Sequence, residues 1–126
     1  MRFAKWVFTI AGIYGVVTVL PLYFTQGQME EMMPPAFNHP EFYFGFIGVT
    51  LAWQLAFLLI GRDPAKYRLF MPIAVFEKWS FFLSTLWLFL QARAPQQIMF
   101  SATIDLVFGA LFLVSFILVG RQAKAG

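Results

Sequence analysis

The chain has 126 residues, of which 60% are hydrophobic and 12% are charged, and its mean hydropathy is +0.73. Soluble domains carry about twice that share of charged residues, so the composition excludes an ordinary soluble protein and predicts an integral membrane protein. The net charge of +3 comes from basic residues at the ends of apolar segments, a pattern typical of membrane topology and not of nucleic-acid binding. Cysteine is absent, which excludes disulfides and thiolate chemistry.

Four apolar segments predict membrane-spanning helices at about residues 4–24, 42–60, 68–91 and 97–120. Each is long enough to cross the hydrocarbon core, which needs about 20 apolar residues. The first segment begins like a signal peptide, but its apolar run is too long and no small-residue cleavage site follows it, so we interpret it as a retained helix. We therefore expect an all-α four-helix membrane bundle that forms one domain over residues 1–126.

The longest connection, residues 25–41, contains neither Lys nor Arg and includes Pro34 and Pro35. We expect an extended loop before these prolines, because the residue before a proline is disfavoured in a helix. His39 or the residue before it is then suited to cap the second span, with Pro40 and Glu41 in its first turn.

Two further prolines lie inside the apolar segments, and the short connections carry turn residues. Pro21 predicts a kink near the end of the first span and Pro72 a kink before Glu77. The connections at residues 61–64 and 92–95 are predicted to be tight turns.

The basic residues predict an orientation. Seven of the nine lie at the two termini or in the segment 62–68, which places those parts on one side of the membrane, while Arg93 alone lies on the other side. By the positive-inside rule both termini are cytoplasmic and the 25–41 loop faces outward. We expect the bacterial inner membrane as the location.

The predicted spans contain polar residues that are costly in lipid and usually face protein or water. These candidates are Gln54, Glu77, Lys78, Ser80, Ser84 and Asp105. Glu77, Ser80 and Ser84 share one helix face, and Lys78 points about 100° away from it. In a functional interpretation Glu77 handles a proton or cation in a polar chamber. In a structural interpretation Glu77 bonds Gln54 or a Tyr hydroxyl, and Lys78 reaches Asp105 or a membrane interface.

Small residues in the spans predict close helix packing, because they let neighbouring backbones approach. The candidates for this role are Gly12, Gly15, Gly45, Gly48 and Gly109.

The outer-loop candidates are His39 and Glu41, either as a weak cation site or, as we prefer, as a helix start. His39 is the only histidine, so one chain cannot supply two histidine ligands to haem. No catalytic triad, phosphate-binding loop or metal motif is present, and we assign no catalytic residue, metal or cofactor.

The four-span layout with a polar outer loop resembles short bacterial membrane proteins, DoxX-like ones among them, and this resemblance is one of architecture only. Three functions fit the sequence. The first is a non-catalytic accessory subunit or assembly factor of a larger membrane complex, for example an energy-transducing one. Its expected partners are lipid and either other membrane subunits or a second copy of the chain. The second is a small homo-oligomeric transporter or channel that uses Glu77. The third is a membrane enzyme or binder for a lipophilic molecule such as a quinone, isoprenoid or sterol-like lipid.

Overall fold

A computed structural model describes residues 1–32, 34 and 38–125. This part of the chain forms five helices: α1 (Arg2–Val19), α2 (Gln26–Met32), α3 (Pro40–Arg62), α4 (Met71–Leu90) and α5 (Gln96–Ala125). Apart from α2, each is the main part of a segment long and apolar enough to cross a membrane. The predicted all-α four-helix membrane bundle is confirmed, and the protein is a small integral membrane protein.

The four long helices form two tightly packed pairs. α1 packs along α3, α4 packs along α5, and α1 also contacts α5, which joins the pairs. α3 and α4 touch at few points, so a cleft opens on that side of the bundle. We call the end with both chain termini and the turn 63–70 the terminal end, and the end with α2 and the turn 91–95 the loop end.

Aromatic side chains fill the interior toward the terminal end. Phe8, Phe57 and Phe112 are fully buried. The rings of Phe8 and Phe112 stack with their centroids 4.2 Å apart, and the Phe57 ring meets Phe112 edge-on at 4.9 Å. Buried aromatic pairs of this kind add packing energy beyond the area they bury. This part of the bundle is therefore closed.

Apolar side chains also cover the outside of the bundle. Trp6, Val17, Phe76 and Leu90 are all more than three-fifths exposed. In water so many exposed apolar residues would cause association, whereas in a bilayer they face lipid tails. The exposed surface thus supports the membrane assignment independently of helix length.

Arg68 ties the start of the α4 segment to α5. Its Nε donates a hydrogen bond to the Phe116 carbonyl oxygen at 3.0 Å, and its guanidinium carbon lies 3.9 Å from the centre of the Phe116 ring. Gly120 leaves the space that the guanidinium occupies. The N-terminal amine also contacts the Gln122 side chain. These contacts hold the two termini and the 63–70 turn together.

The predicted loop before Pro34 is wrong in part, because residues Gln26–Met32 form α2. Its Gln, Met and Glu residues have good helix propensity, and Gln26 Nε2 donates to Glu30 Oε1 at 3.0 Å, one helical turn away. Pro34 follows the end of α2, and the prediction for Pro35 falls outside the described residues.

The prolines inside the spans act at helix ends. Pro72 does not kink α4 but lies in its first turn, where a missing N–H is tolerated. Pro21 lies in a short 3₁₀ segment, Leu20–Phe24, that continues α1. Pro40 begins α3, as predicted, with His39 at the N-cap position. The His39 side chain does not cap the helix and instead contacts Glu41, with Nδ1 and Oε1 3.1 Å apart.

α4 ends in a left-handed residue that is not glycine. Ala92 has φ 58°, and the N–H groups of Ala92 and Arg93 bond the carbonyls of Phe89 and Leu88 at 2.9 and 2.8 Å. These bonds satisfy carbonyls that the helix itself leaves free. They fix the tight turn that the sequence predicted at 92–95.

Candidate functional site

A group of three charged side chains lies inside the bundle. Lys78 is 3% exposed, and its Nζ lies 3.2 Å from Asp105 Oδ1 and 3.8 Å from Glu77 Oε2. The ammonium group also lies 5.2 Å from the centre of the Phe57 ring and 5.8 Å from that of Phe108, distances at which cations and rings attract. We call Glu77, Lys78 and Asp105 the charged triad.

Lys78 lies on the face of α4 that is buried in the bundle. That face carries Met71, Ala74, Val75, Lys78 and Thr85. Beside Lys78, the Trp79 indole N–H donates to the Leu106 carbonyl of α5 at 3.1 Å. A side chain at Gly109 would overlap this indole, so the glycine lets the two helices meet there. Because α4 packs on α5 at Trp79, Lys78 is brought to Asp105.

Gln54 of α3 is another polar side chain inside the bundle. Gln54 is 1% exposed, and its Nε2 donates to the Thr50 carbonyl at 2.9 Å. A Cβ atom at Gly15 would overlap the Gln54 amide, so α1 makes room for this side chain. Among the described residues, Gln54 Oε1 and Glu77 Oε2 are buried acceptors without a hydrogen-bond donor. Buried acceptors of this kind are rare and each needs an explanation.

These groups line a cavity of about 260 Å³ in the half of the bundle toward the loop end. All five helices contribute to its wall, α2 through Met29. Besides the charged triad and Gln54, its polar lining consists of Tyr14, Thr18, Thr50 and Ser101. One water molecule occupies about 30 Å³ of liquid, so the space exceeds what a single water fills. We call it the polar cavity.

A second space, of about 530 Å³, is the cleft between α3 and α4. Its walls are largely apolar and include Val49, Trp53, Ile73 and Phe76. Phe46, Thr50, Glu77 and Phe81 line both the cleft and the polar cavity. The rings of Phe46 and Phe81 are 6.3 Å apart, centre to centre. The polar cavity therefore borders a groove that opens toward lipid.

The structure places the predicted intramembrane residues in two groups. Glu77, Lys78 and Asp105 come together, and Gln54 lines the same cavity. Ser80 and Ser84 line the cleft instead, and Ser84 is exposed. The predicted common face of Glu77, Ser80 and Ser84 lines the cleft, while α4 buries the neighbouring face that carries Lys78.

The structural interpretation offers Glu77 a bond from Gln54 or from a Tyr hydroxyl. Gln54 instead donates to its own helix, and Glu77 Oε2 accepts no bond within the described part of the chain. Lys78 does reach Asp105, which was one of its two predicted destinations. Sequence reasoning missed Phe46 and Phe81, because two phenylalanines among 17 carry no signal that sets them apart.

Four of the five predicted packing glycines lie at close contacts. A Cβ at Gly12 would lie 2.7 Å from the Leu58 side chain, and one at Gly48 would lie 2.9 Å from the Tyr23 hydroxyl. Gly15 and Gly109 accommodate Gln54 and Trp79, as described above. Gly45 is the exception, because nothing lies within 4 Å of its Cβ position and the residue is exposed.

His39 and Glu41 lie at the surface of the loop end, with side chains 68% and 66% exposed. Neither lines the polar cavity or the cleft. Within the described residues no three His, Asp or Glu side chains are grouped as a metal site would require.

Comparisons of the chain with protein-family models, with curated proteins and with solved structures found no match.

Proposed function

We propose that this protein binds a lipophilic small molecule, taken from the membrane, in the polar cavity beside Glu77. The observation that carries the proposal is the cavity itself, whose lining includes Glu77 and Gln54, and each of these residues has a buried side-chain oxygen that accepts no bond from a described residue. Ligand sites are typically concave and mostly apolar, with a few polar groups that fix orientation. The cleft supplies the apolar surface and the cavity supplies the polar groups.

Two other functions are less well supported by the interior of the bundle. An accessory subunit needs no cavity with unbonded acceptors, since its contacts are made on the outside. A transporter needs a path to both ends, and the rings of Phe8, Phe57 and Phe112 fill the interior toward the terminal end. Co-migration with other membrane proteins in native electrophoresis would favour the accessory subunit.

We test binding with a dodecanol derivative that carries a photoreactive diazirine in its chain, added to the protein in phosphatidylcholine nanodiscs. After irradiation, mass spectrometry is expected to find the label near Phe46 and Phe81, which border both spaces. Ser101→Trp fills the polar cavity from α5 and is expected to remove most of this label. Val107→Trp is the matched control, because Val107 is on the same helix, is 54% exposed and lines neither space.

Uniform labelling of all lipid-facing surfaces would contradict the binding proposal. Equal loss of label in the two tryptophan variants would contradict it too, because the effect would then not depend on the polar cavity.

We also propose that both termini are cytoplasmic and that the loop end faces outward across a bacterial inner membrane. The proposal is supported by the distribution of Lys and Arg. Since the chain has no cysteine, single cysteines can report the orientation. We expect a membrane-impermeant maleimide to label Gln28→Cys in intact cells and Ala123→Cys only after permeabilisation. The reverse pattern would place the polar cavity in the cytoplasmic half.

A further inference from the structure

We infer that the ligand is an amphiphilic amine, with a protonated amino headgroup beside Glu77 and a single apolar chain in the cleft between α3 and α4. This inference rests on the binding function proposed above and specifies the chemistry of the ligand. Three features support it: the charges of the residues that line the polar cavity, the unbonded acceptors on two of these residues, and the shape of the adjoining cleft.

The negative and positive groups around the polar cavity are unequal in number. The described residues that line the polar cavity include two carboxylates, Glu77 and Asp105, but one cation, Lys78. Lys78 Nζ lies within hydrogen-bond distance of Asp105, at 3.2 Å, and is further from Glu77, at 3.8 Å. An ionised group at membrane depth needs a partner of opposite charge. A ligand ammonium would supply that partner to Glu77 and make the charges equal in number.

Hydrogen bonding on the residues that line the polar cavity is also incomplete within the described part of the chain. Both acceptors that lack a donor from the described residues, Glu77 Oε2 and Gln54 Oε1, belong to side chains of the cavity wall. Gln54 is 1% exposed, so bulk water does not satisfy it. A protonated amine carries several N–H donors and no acceptor, as lysine does. A carboxylate or phosphate headgroup would instead add negative charge and further acceptors to a site that already has an excess of both.

The cleft between α3 and α4 gives the chain of such a ligand a route from the bilayer. Glu77 borders both the polar cavity and the cleft, so a headgroup beside it can keep its chain between α3 and α4. The cleft is lined by Val49, Trp53, Ile73 and Phe76, which suit a hydrocarbon chain. Since α3 and α4 touch at few points, the chain can enter sideways from the bilayer. Phe46 and Phe81 lie where the two spaces meet and would pack against the first carbons of the chain.

The test compares ligands that share one chain and differ in the headgroup. Dodecylamine, dodecanol and dodecanoic acid compete with the photoreactive dodecanol derivative in phosphatidylcholine nanodiscs. The three compounds partition differently into the bilayer, so their absolute potencies are not compared. For each variant we measure the concentration of amine and of alcohol that displaces half of the label, and we compare the ratio of these two concentrations between variants. Glu77→Gln keeps the shape of the side chain, and Glu41→Gln is the matched control because Glu41 is an exposed carboxylate on α3 outside the cavity.

We expect Glu77→Gln to weaken the amine relative to the alcohol about tenfold, the effect of losing one hydrogen bond to a charged group. Glu41→Gln should leave the ratio unchanged, and dodecanoic acid should compete least in the wild type. Displacement by the alcohol shows that the Glu77→Gln variant is still folded.

If the amine-to-alcohol ratio is equal in the wild type and in Glu77→Gln, the inference that the headgroup is an amine is overturned. Preferred binding of dodecanoic acid would overturn it as well. In both cases the proposed binding function would stand. A proton carried by Glu77 in place of a ligand cation would give that equal ratio. If the photoreactive alcohol labels no residue of the cavity or the cleft, the proposed binding function itself fails.

Discussion

Lys78→Met is expected to lower the free energy of unfolding by about 3–5 kcal/mol, the cost of removing one partner from a buried ion pair. Lys78 is 3% exposed, and its ammonium is 3.2 Å from Asp105 and 3.8 Å from Glu77. Without it the carboxylates of Glu77 and Asp105, each with a side chain 17% exposed, have no cation beside them. Methionine fills a similar volume, so the effect reports charge more than packing. The measurement is unfolding of the purified protein in detergent micelles.

The matched control neutralises the whole triad. Lys78→Met combined with Glu77→Gln and Asp105→Asn leaves no charge to compensate, and replacing a buried ion pair by neutral groups of similar size is often close to neutral in stability. We expect the triple variant to recover most of the loss seen in Lys78→Met. If Lys78→Met is as stable as the wild type, or if the triple variant is no more stable than the single one, the charged triad does not stabilise the bundle as described.

Gly12→Ala is expected to lower the free energy of unfolding by about 1–3 kcal/mol, as overpacking of a tightly packed interior does. A Cβ at this position would lie 2.7 Å from the Leu58 side chain and 2.9 Å from the Gln54 backbone oxygen. A backbone atom cannot turn aside as a side chain can, so α1 and α3 must move apart. The same displacement would disturb the wall of the polar cavity that carries Gln54.

Gly45→Ala is the matched control on α3. Nothing lies within 4 Å of its Cβ position, so the substitution creates no clash, and alanine favours a helix over glycine by up to about 1 kcal/mol. We expect this variant to be as stable as the wild type or slightly more stable. Thermal unfolding of both variants in the same detergent separates the two cases. A loss of equal size at both positions would mean that the loss at Gly12 does not come from the close packing of α1 on α3.

Much of the fold could be predicted because hydropathy and helix length are local properties of the chain. The predicted span 42–60 differs from α3 by two residues at each end. The predicted spans 4–24 and 68–91 lie within two residues of the apolar helical segments Arg2–Phe24 and Arg68–Leu90.

The predicted span 97–120 ends five residues before α5 does. α5 continues past Gly120 to Ala125, because the residues after this glycine, Arg, Gln, Ala, Lys and Ala, are good helix formers. The short helix α2 was missed because a proline pair nearby favoured a loop, although proline restricts only its immediate neighbour.

The candidate site could be predicted in its members but not in its arrangement. Charged side chains are costly in lipid, so Glu77, Lys78 and Asp105 are expected to lie in the interior of the bundle. Which side of α4 faces that interior depends on the partner helix, and Glu77 and Lys78 are adjacent in sequence. Trp79 donates a hydrogen bond to the Leu106 carbonyl, and its indole occupies the space left by Gly109. This contact fixes the rotation of α4, so that Lys78 lies in the interior and Glu77 lies at the border of the cleft.

The sequence by itself determined that this is an all-helical membrane protein with four spans, because the transfer of apolar residues from water to lipid depends on each segment alone. It also identified the polar residues that such spans tolerate only in an interior. The tertiary structure alone decided that these residues border a cavity and that α3 and α4 leave a cleft beside it. Spaces between helices depend on how several side chains meet, and single positions such as Gly45 and Gly12 look alike until the neighbouring helix is in place.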